Sequence, residues 1–182
     1  MIAKTSSMIL AIAAIITAGA ISLCGAESKP LLSGHITKAG VYSLTDSEKK
    51  IPERGSVTGY VTEGGRTFQS ATTNVILAKG TSFGFDFRID GAPTDHPIRL
   101  THLITHPKMK KPDGTVLEKQ TFDRDVIGSS DGVISGRLWY TLREDFELLP
   151  GEWSLSVLHD TTVLVEKKFT VVQATAAGSK GK

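Results

Sequence analysis

The clearest strand pattern in this chain lies in residues 150–172, which read PGEWSLSVLHDTTVLVEKKFTVV. Its first half alternates Trp153, Leu155 and Val157 with two serines, the period of two that is typical of a strand with one buried face. A polar turn at residues 159–161 follows, and then a second β-branched run. The inward-facing residues of that run are predicted to be Val163, Val165, Phe169 and Val171. The stretch predicts a β-hairpin that places Trp153 in a hydrophobic core.

The rest of the chain, outward from this hairpin, reads as short strands between turn signals. Residues 82–90, SFGFDFRID, alternate three phenylalanines and an isoleucine with small or charged residues, which predicts a core strand. Gly84 in its middle indicates a bulge or the close approach of a neighbouring strand. We expect about eight strands, at spacings that favour an all-β, antiparallel, immunoglobulin-like sandwich.

Three other segments carry more specific expectations. Residues 67–77 resemble one strand that starts near a sheet edge and ends buried, because the Thr- and Ser-rich start gives way to Val75-Ile76-Leu77. Residues 46–54 are charged and are predicted to be a solvated connection. Residues 115–125 are a polar strand whose charges indicate a sheet edge, since charged side chains discourage pairing with a stray strand.

The N-terminus predicts export from the cytoplasm. Residues 1–26 have an early lysine, an apolar run of roughly 15 residues and small residues before a polar start, which is the pattern of a secretory signal peptide cleaved after Ala26. The run is short for a membrane span of about 20 residues, so the cleaved protein is not expected to be an integral membrane protein. We therefore expect a periplasmic or secreted protein with one β-sandwich domain at 27–173 and a disordered tail at 174–182.

Cys24 raises an alternative, since an acylated cysteine at this place would make a membrane-anchored lipoprotein. The preceding Leu23 is larger than the residue such a processing site usually has, so this alternative is less favoured. Cleavage after Ala26 would remove the only cysteine in the chain and leave a domain without disulfides or thiolate ligands.

Charge and composition exclude several classes of function. The formal net charge is +2, close to neutral, which argues against a nucleic-acid-binding surface. No phosphate-binding loop, dinucleotide fingerprint or zinc-protease helix is present, so no cofactor is expected. Ser135 does not lie in a nucleophile elbow, and we assign no catalytic residue.

Several turn and core motifs in the second half of the chain are similar to those of a known family. They are Gly80-Thr81-Ser82-Phe83-Gly84-Phe85, His106-Pro107, Pro112-Asp113-Gly114, and Pro150-Gly151-Glu152-Trp153 with Phe169. With these motifs, residues 79–172 resemble an uncharacterised family of bacterial secreted or periplasmic domains, a domain of unknown function. The resemblance implies a small β-sandwich outside the cytoplasm and implies no activity.

Two groups of side chains are of the types that bind metal ions, but neither group is predicted to form a metal site. His102 and His106 share a strand face, but four residues of ideal strand separate them by about 13 Å, too far to bind one ion. Asp123, Asp125 and Asp131 lie in an oxygen-rich region that lacks the alternating ligands and closing Glu of an EF-hand. We expect no metal.

Trp139 is the one candidate ligand-binding residue. By parity it points away from Leu138 and Tyr140, so it faces outward unless a bulge at Gly136 reverses the strand or both faces are covered. An exposed tryptophan on a sheet would indicate a binding surface.

These observations predict a non-enzymatic binding or interaction module whose partner is another protein of the cell envelope. One alternative is a glycan- or peptidoglycan-binding sandwich that uses Trp139. A second alternative is a hydrolase, which would require a concave pocket near His102, Asp125 or Glu144 and a carboxylate or histidine of shifted pKa.

Overall fold

Two β-sheets and a separate two-stranded hairpin form the computed structural model, which describes residues 31–45 and 48–174. The predicted signal peptide at 1–26, Cys24 and residues 175–182 of the predicted tail lie outside the described residues. The strands are β1 (Ser33–Leu44), β2 (Lys49–Pro52), β3 (Tyr60–Glu63), β4 (Arg66–Ser70), β5 (Asn74–Ile76), β6 (Ser82–Asp90), β7 (Ile98–Lys110), β8 (Val116–Val126), β9 (Val133–Thr141), β10 (Gly151–His159) and β11 (Thr162–Val172), with a 3₁₀ helix at Asp145–Glu147.

The two large sheets pack face to face as a sandwich. One has the order β4-β1-β6-β9 and the other β5-β11-β10-β7-β8. All pairings are antiparallel except that of β5 with β11. β1 packs against β11 and β9 against β10, so the interior lies between the sheets. The predicted all-β, antiparallel, immunoglobulin-like sandwich is confirmed.

The hairpin of β10 and β11 supplies the centre of this interior, as its alternation predicts. The Trp153 side chain is fully buried, and its ring lies 4.8 Å from that of Tyr140 and edge-on to Phe83 at 5.7 Å. Burying a tryptophan removes one of the largest apolar surfaces available to a side chain from water. Trp153 is therefore a core residue, as predicted.

The prediction for Val163 was wrong. Its side chain is 49% exposed, whereas Val165, Phe169 and Val171 are buried. The pairing of β10 with β11 shifts register next to Val157 and Leu158, which pair with Val165 and Val163 and leave Leu164 without a partner. Such a bulge reverses the side-chain parity of the residues beyond it.

Residues 67–77 are two strands rather than one, and they belong to different sheets. β4 and β5 are joined by residues 71–73, and the Thr72 hydroxyl accepts a hydrogen bond from the Asn74 N–H at 3.1 Å. Threonine hydroxyls often hold a turn in this way.

Residues 46–54 also differ from their prediction, since β2 lies within them and pairs with β3. These short strands raise the number of strands in the described residues to eleven.

Two other expectations are confirmed by the register. β8 is an edge strand of the five-stranded sheet. A Cβ on Gly84 would lie 2.2 Å from the Leu138 carbonyl oxygen, so a neighbouring strand approaches closely here. The pairing of β6 with β9 runs without a shift from Asp90–Val133 to Ser82–Thr141, and there is thus no bulge at Gly136.

Candidate ligand-binding cleft

A cleft of about 210 Å³ opens where the two sheets end beside each other, at the edge strands β9 and β8. Residues 48–63, which contain β2 and β3, extend from one sheet edge to the other across this opening, and we call them the strap. The cleft is lined by strap residues Ser56, Thr58 and Tyr60–Glu63, by His102 and Ile104 of β7, by Gln120, Phe122 and Arg124 of β8, by Arg137–Thr141 of β9, and by Arg143 and Glu147.

One end of the strap is fastened to β8. The Val57 N–H donates to Gln120 Oε1 at 2.9 Å, and Arg124 Nη1 binds Glu53 at 2.9 Å. Gly55 packs so closely that a Cβ there would lie 1.8 Å from the Thr121 carbonyl oxygen. Only glycine fits this approach, and the strap is therefore held against the edge of the five-stranded sheet.

The other end is fastened to the four-stranded sheet by arginines. Arg66 Nη2 donates to Glu48 at 2.7 Å and to the Thr62 hydroxyl at 2.9 Å, while Arg66 Nε donates to Ser82 at 3.2 Å. Arg143 Nη2 also binds Glu48, at 2.6 Å. Burial opposes ionisation of the Glu48 carboxyl, but hydrogen bonds and charge from Arg143 and Arg66 hold its pKa below the ordinary value.

Trp139 lies at the side of this cleft. It pairs with Gly84 of β6, points away from the buried Leu138 and Tyr140, and is partly exposed. The Arg66 guanidinium stacks over its ring at 4.3 Å, a favourable cation–π arrangement. The outward parity predicted for Trp139 is confirmed, and Arg66 covers part of the ring.

The inner end of the cleft contains a buried carboxylate. Glu147 is 1% exposed and accepts hydrogen bonds from the Tyr140 hydroxyl at 2.6 Å and from the backbone N–H groups of Arg143 and Glu144 at 2.6 and 2.8 Å. Burial, followed by the charge and hydrogen bond of Glu147, raises the pKa of Tyr140 well above its usual range. Three donors thus hold Glu147 as a structural acceptor.

His102 faces the same cleft, between the rings of Phe122 and Phe87 at 5.1 and 6.3 Å. Burial, with a smaller contribution from Arg124, lowers the pKa of His102 to about 4. The imidazole is therefore neutral at neutral pH. Among the described residues no carboxylate is hydrogen-bonded to it, and Asp123, the nearest acidic influence, accepts from the Thr101 hydroxyl instead.

The remaining predicted candidates are dispersed. His106 faces inward like His102, but its ring packs on Trp153 at 5.2 Å and its Nδ1 contacts the Pro107 carbonyl oxygen. Asp125 binds Arg99, and Asp131 accepts from Ser129. Within residues 31–45 and 48–174, no three His, Cys, Asp or Glu side chains are grouped so that they could hold a metal ion.

Sequence reasoning missed Arg66, Gln120, Arg143 and Glu147 as residues of this site. The only sequence signal for Gln120 is its parity with Phe122 on a strand that otherwise reads as polar. Arg66 and Arg143 carry no local signal, because their common partner Glu48 is 18 and 95 residues away along the chain.

No helix in the part of the chain that the structure describes is long and apolar enough to cross a membrane. No curated protein matches the sequence. Among solved structures, the chain is similar to an immunoglobulin-like protein of Pseudomonas aeruginosa, with 23% identity, a TM-score of 0.53, and coverage of 80% of this chain and 99% of that one. This similarity shows the fold alone.

A second similarity is partial. The Pseudomonas fluorescens alkylpurine DNA glycosylase AlkC, in a complex with DNA that contains an abasic site analogue, matches with 13% identity and a TM-score of 0.40 over 55% of this chain and 27% of that one. At that level the match supports no functional argument. The model of a family described as a domain of unknown function, DUF3859, matches residues 33–171. The chain therefore belongs to the DUF3859 family, an immunoglobulin-like domain of unknown function.

Proposed function

We propose that this protein is a non-enzymatic binding module of the bacterial cell envelope, and that the cleft beside Trp139 binds a saccharide. The observation that carries the proposal is the partly exposed Trp139 ring at the side of a cleft, held in place by Arg66. Sugar rings have apolar C–H faces and polar edges, so they suit a site that offers an aromatic surface together with hydrogen-bonding groups. The location in the envelope follows from the predicted signal peptide.

The cleft supports binding a saccharide more than binding a flat protein surface. It is concave, it reaches between the two sheets, and Tyr60 of the strap and Trp139 of β9 both contribute aromatic surface to it. Protein–protein interfaces of ordinary size instead bury about 800 Å² on each partner, largely on exposed surface. A second protein of the envelope remains the alternative partner.

The cleft gives little support to a hydrolase, although His102 lines it. A general base needs a group that orients it and a nucleophile within hydrogen-bonding distance. Glu147, the buried carboxylate of the cleft, is already engaged by three donors.

The proposal is tested by pull-down on insoluble polysaccharides, including peptidoglycan, with the wild type and Trp139→Ala. We expect Trp139→Ala to lose at least tenfold in retention and to stay folded, with a melting temperature lowered by the loss of the stacking on Arg66. The matched control is Val163→Ala, which removes an exposed apolar side chain from a strand that does not line the cleft. Equal retention of all three proteins would contradict the proposal.

A further inference from the structure

The inner end of the cleft contains one hydrogen-bond donor that is not used. Gln120 is 4% exposed and lines the cleft, and its Nε2 is shielded from solvent and has no hydrogen-bond partner of acceptable geometry within residues 31–45 and 48–174. The amide lies near enough to the Tyr140 hydroxyl to oppose the rise of that pKa, but an NH₂ group has two donors. At least one N–H therefore has no acceptor among the described residues, a costly arrangement for a buried polar group.

The orientation of the Gln120 amide is set by the strap. The Val57 N–H can only donate, so the atom it meets at 2.9 Å must be the amide oxygen. A reversed amide would place two donors against each other. Nε2 is thus the atom left without an acceptor, and a ligand that satisfies it must displace the atoms that shield it and present an acceptor.

The three arginines that line the cleft are already paired. Arg124 binds Glu53, Arg143 binds Glu48, and Arg137 lies 3.1 Å from Asp86. A charged ligand would compete with these pairs, whereas a neutral one leaves them intact. The neutral His102 adds no charge at neutral pH, so the cleft suits an uncharged group.

Besides the Val57 N–H and the Tyr140 hydroxyl, Gln120 has apolar neighbours. Ile104 is its direct cross-strand partner, and Phe122 stands two residues along on the same strand face. Leu138 approaches from β9 and also lines the cleft. The nearby acceptors Gln120 Oε1 and both Glu147 oxygens are engaged. The inner end is thus matched by a group that accepts a hydrogen bond, donates none into this space and carries an apolar end.

From this combination we propose that the inner end of the cleft receives an acetamido group, whose carbonyl oxygen accepts from Gln120 Nε2 and whose methyl group packs against Ile104 and Leu138. The inference rests on the proposed function, because the saccharide that packs on Trp139 would carry this group. An N-acetylated amino sugar supplies it, and so does an acetylated peptide.

Two neutral oligosaccharides with the same β-1,4 backbone provide the test. Chitohexaose carries an acetamido group on each ring where cellohexaose carries a hydroxyl. Titration calorimetry of the full-length protein should give an affinity for chitohexaose at least tenfold higher than for cellohexaose. Saturation-transfer NMR should show the acetyl methyl as the most strongly contacted part of the ligand.

Gln120→Glu is the decisive variant, since it keeps an oxygen for the Val57 N–H and replaces the free donor with an acceptor. It should reduce chitohexaose affinity at least tenfold and leave the weak binding of cellohexaose unchanged. Gln69→Glu is the matched control, because it makes the same substitution at an exposed amide of β4 that does not line the cleft. Backbone NMR spectra of the free variants verify that each is folded.

The outcomes separate this inference from the proposed function. Equal binding of both oligosaccharides, lost in Trp139→Ala, would retain the saccharide site and overturn the acetamido inference. Binding of an N-acetylated peptide but of neither oligosaccharide would retain the acetamido inference and overturn the saccharide ligand. If none of the three binds, both proposals are wrong.

Discussion

The Arg66 guanidinium stacks on the Trp139 indole at 4.3 Å while its own Nη2 binds Glu48 of the strap at 2.7 Å. One fully buried cation thus connects the candidate ligand-binding tryptophan to the segment that covers the cleft. The orientation of Trp139 and the position of the strap therefore depend on the same side chain.

Arg66→Lys tests this connection. Lysine keeps the positive charge but cannot bond Ser82, Glu48 and Thr62 together, because it lacks the planar, forked donor group. We expect a loss of about 1 to 3 kcal/mol in the free energy of unfolding, in the range for broken buried hydrogen bonds to charged groups. Urea denaturation provides the measurement. Arg88→Lys, at a half-exposed arginine beside Asp90, is the control and should change little. If Arg88→Lys lowers the free energy of unfolding as much as Arg66→Lys does, the loss does not come from the hydrogen bonds of Arg66.

His102 makes stability depend on pH in the acidic range. Its pKa in the folded protein is lowered to about 4 by burial and by Arg124, with Asp123 acting the opposite way. The unfolded chain binds the proton from about pH 6.5 downward while the folded protein does not, so stability falls as the pH decreases from 6.5 to 4. A shift of this size contributes about 3 kcal/mol. The pKa of His106 is also lowered by burial and adds to the loss.

The variant His102→Phe isolates this contribution, since phenylalanine can keep the contacts with Phe87 and Phe122. The free energy of unfolding is taken from denaturation curves at several pH values. Between pH 6.5 and pH 4 it should fall by about 3 kcal/mol less in the variant than in the wild type. An equal fall in the free energy of unfolding of the two proteins over this pH range would contradict the assignment to His102.

Tyr140→Phe removes the hydroxyl that donates to Glu147. The buried carboxylate would then lack one of its three donors, at an expected cost of about 1 to 3 kcal/mol in the free energy of unfolding. Tyr42→Phe is the matched control, because the Tyr42 hydroxyl is also buried but has no hydrogen-bond partner in the part of the chain that the structure describes. We expect the control to be neutral or stabilising, and chemical denaturation of both variants should show the difference. A control that loses as much as Tyr140→Phe would argue against a specific role for the bond to Glu147.

Gly55→Ala should loosen the strap without disrupting the core. An added Cβ would overlap the Thr121 carbonyl oxygen, so the strap must move away from β8. We expect faster hydrogen exchange at the Val57 amide, which Gln120 normally protects, and weaker ligand binding. Gly59→Asn is the control within the strap, since there is open space around Gly59 and asparagine tolerates its positive φ. If the Val57 amide exchanges at the same rate in both variants, the close contact at Gly55 does not hold the strap.

The parts of the fold that sequence reasoning predicted are those set by local alternation. The β10–β11 hairpin, the aromatic face of β6 and the outward direction of Trp139 each follow from a period of two within one strand. Val163 was wrong because the bulge that places Leu164 out of register leaves no sequence signal. The separation of β4 from β5 depends on which sheet each strand joins, which is a tertiary property.

Of the residues that line the cleft, sequence reasoning singled out Trp139 and His102. The rest of the cleft comes from contacts between distant segments, such as Val57 with Gln120 and Glu48 with Arg143. Gln120 and Glu147 are polar residues on a buried face, and their burial depends on partners that the strand pattern does not reveal. A sequence pattern can show which way a side chain points, but not which other segment meets it.

The three-residue connection between β4 and β5 has a mechanical consequence. These strands are the outer edges of different sheets, so a covalent link prevents the sheets from separating on that side. The opposite side is closed in the same way, since residues 127–132 join β8 to β9, and the strap adds hydrogen bonds and ion pairs there. Both long sides of the sandwich are thus closed covalently, so we expect a ligand to enter by displacement of the strap rather than by separation of the sheets, which leaves the Trp153 core closed.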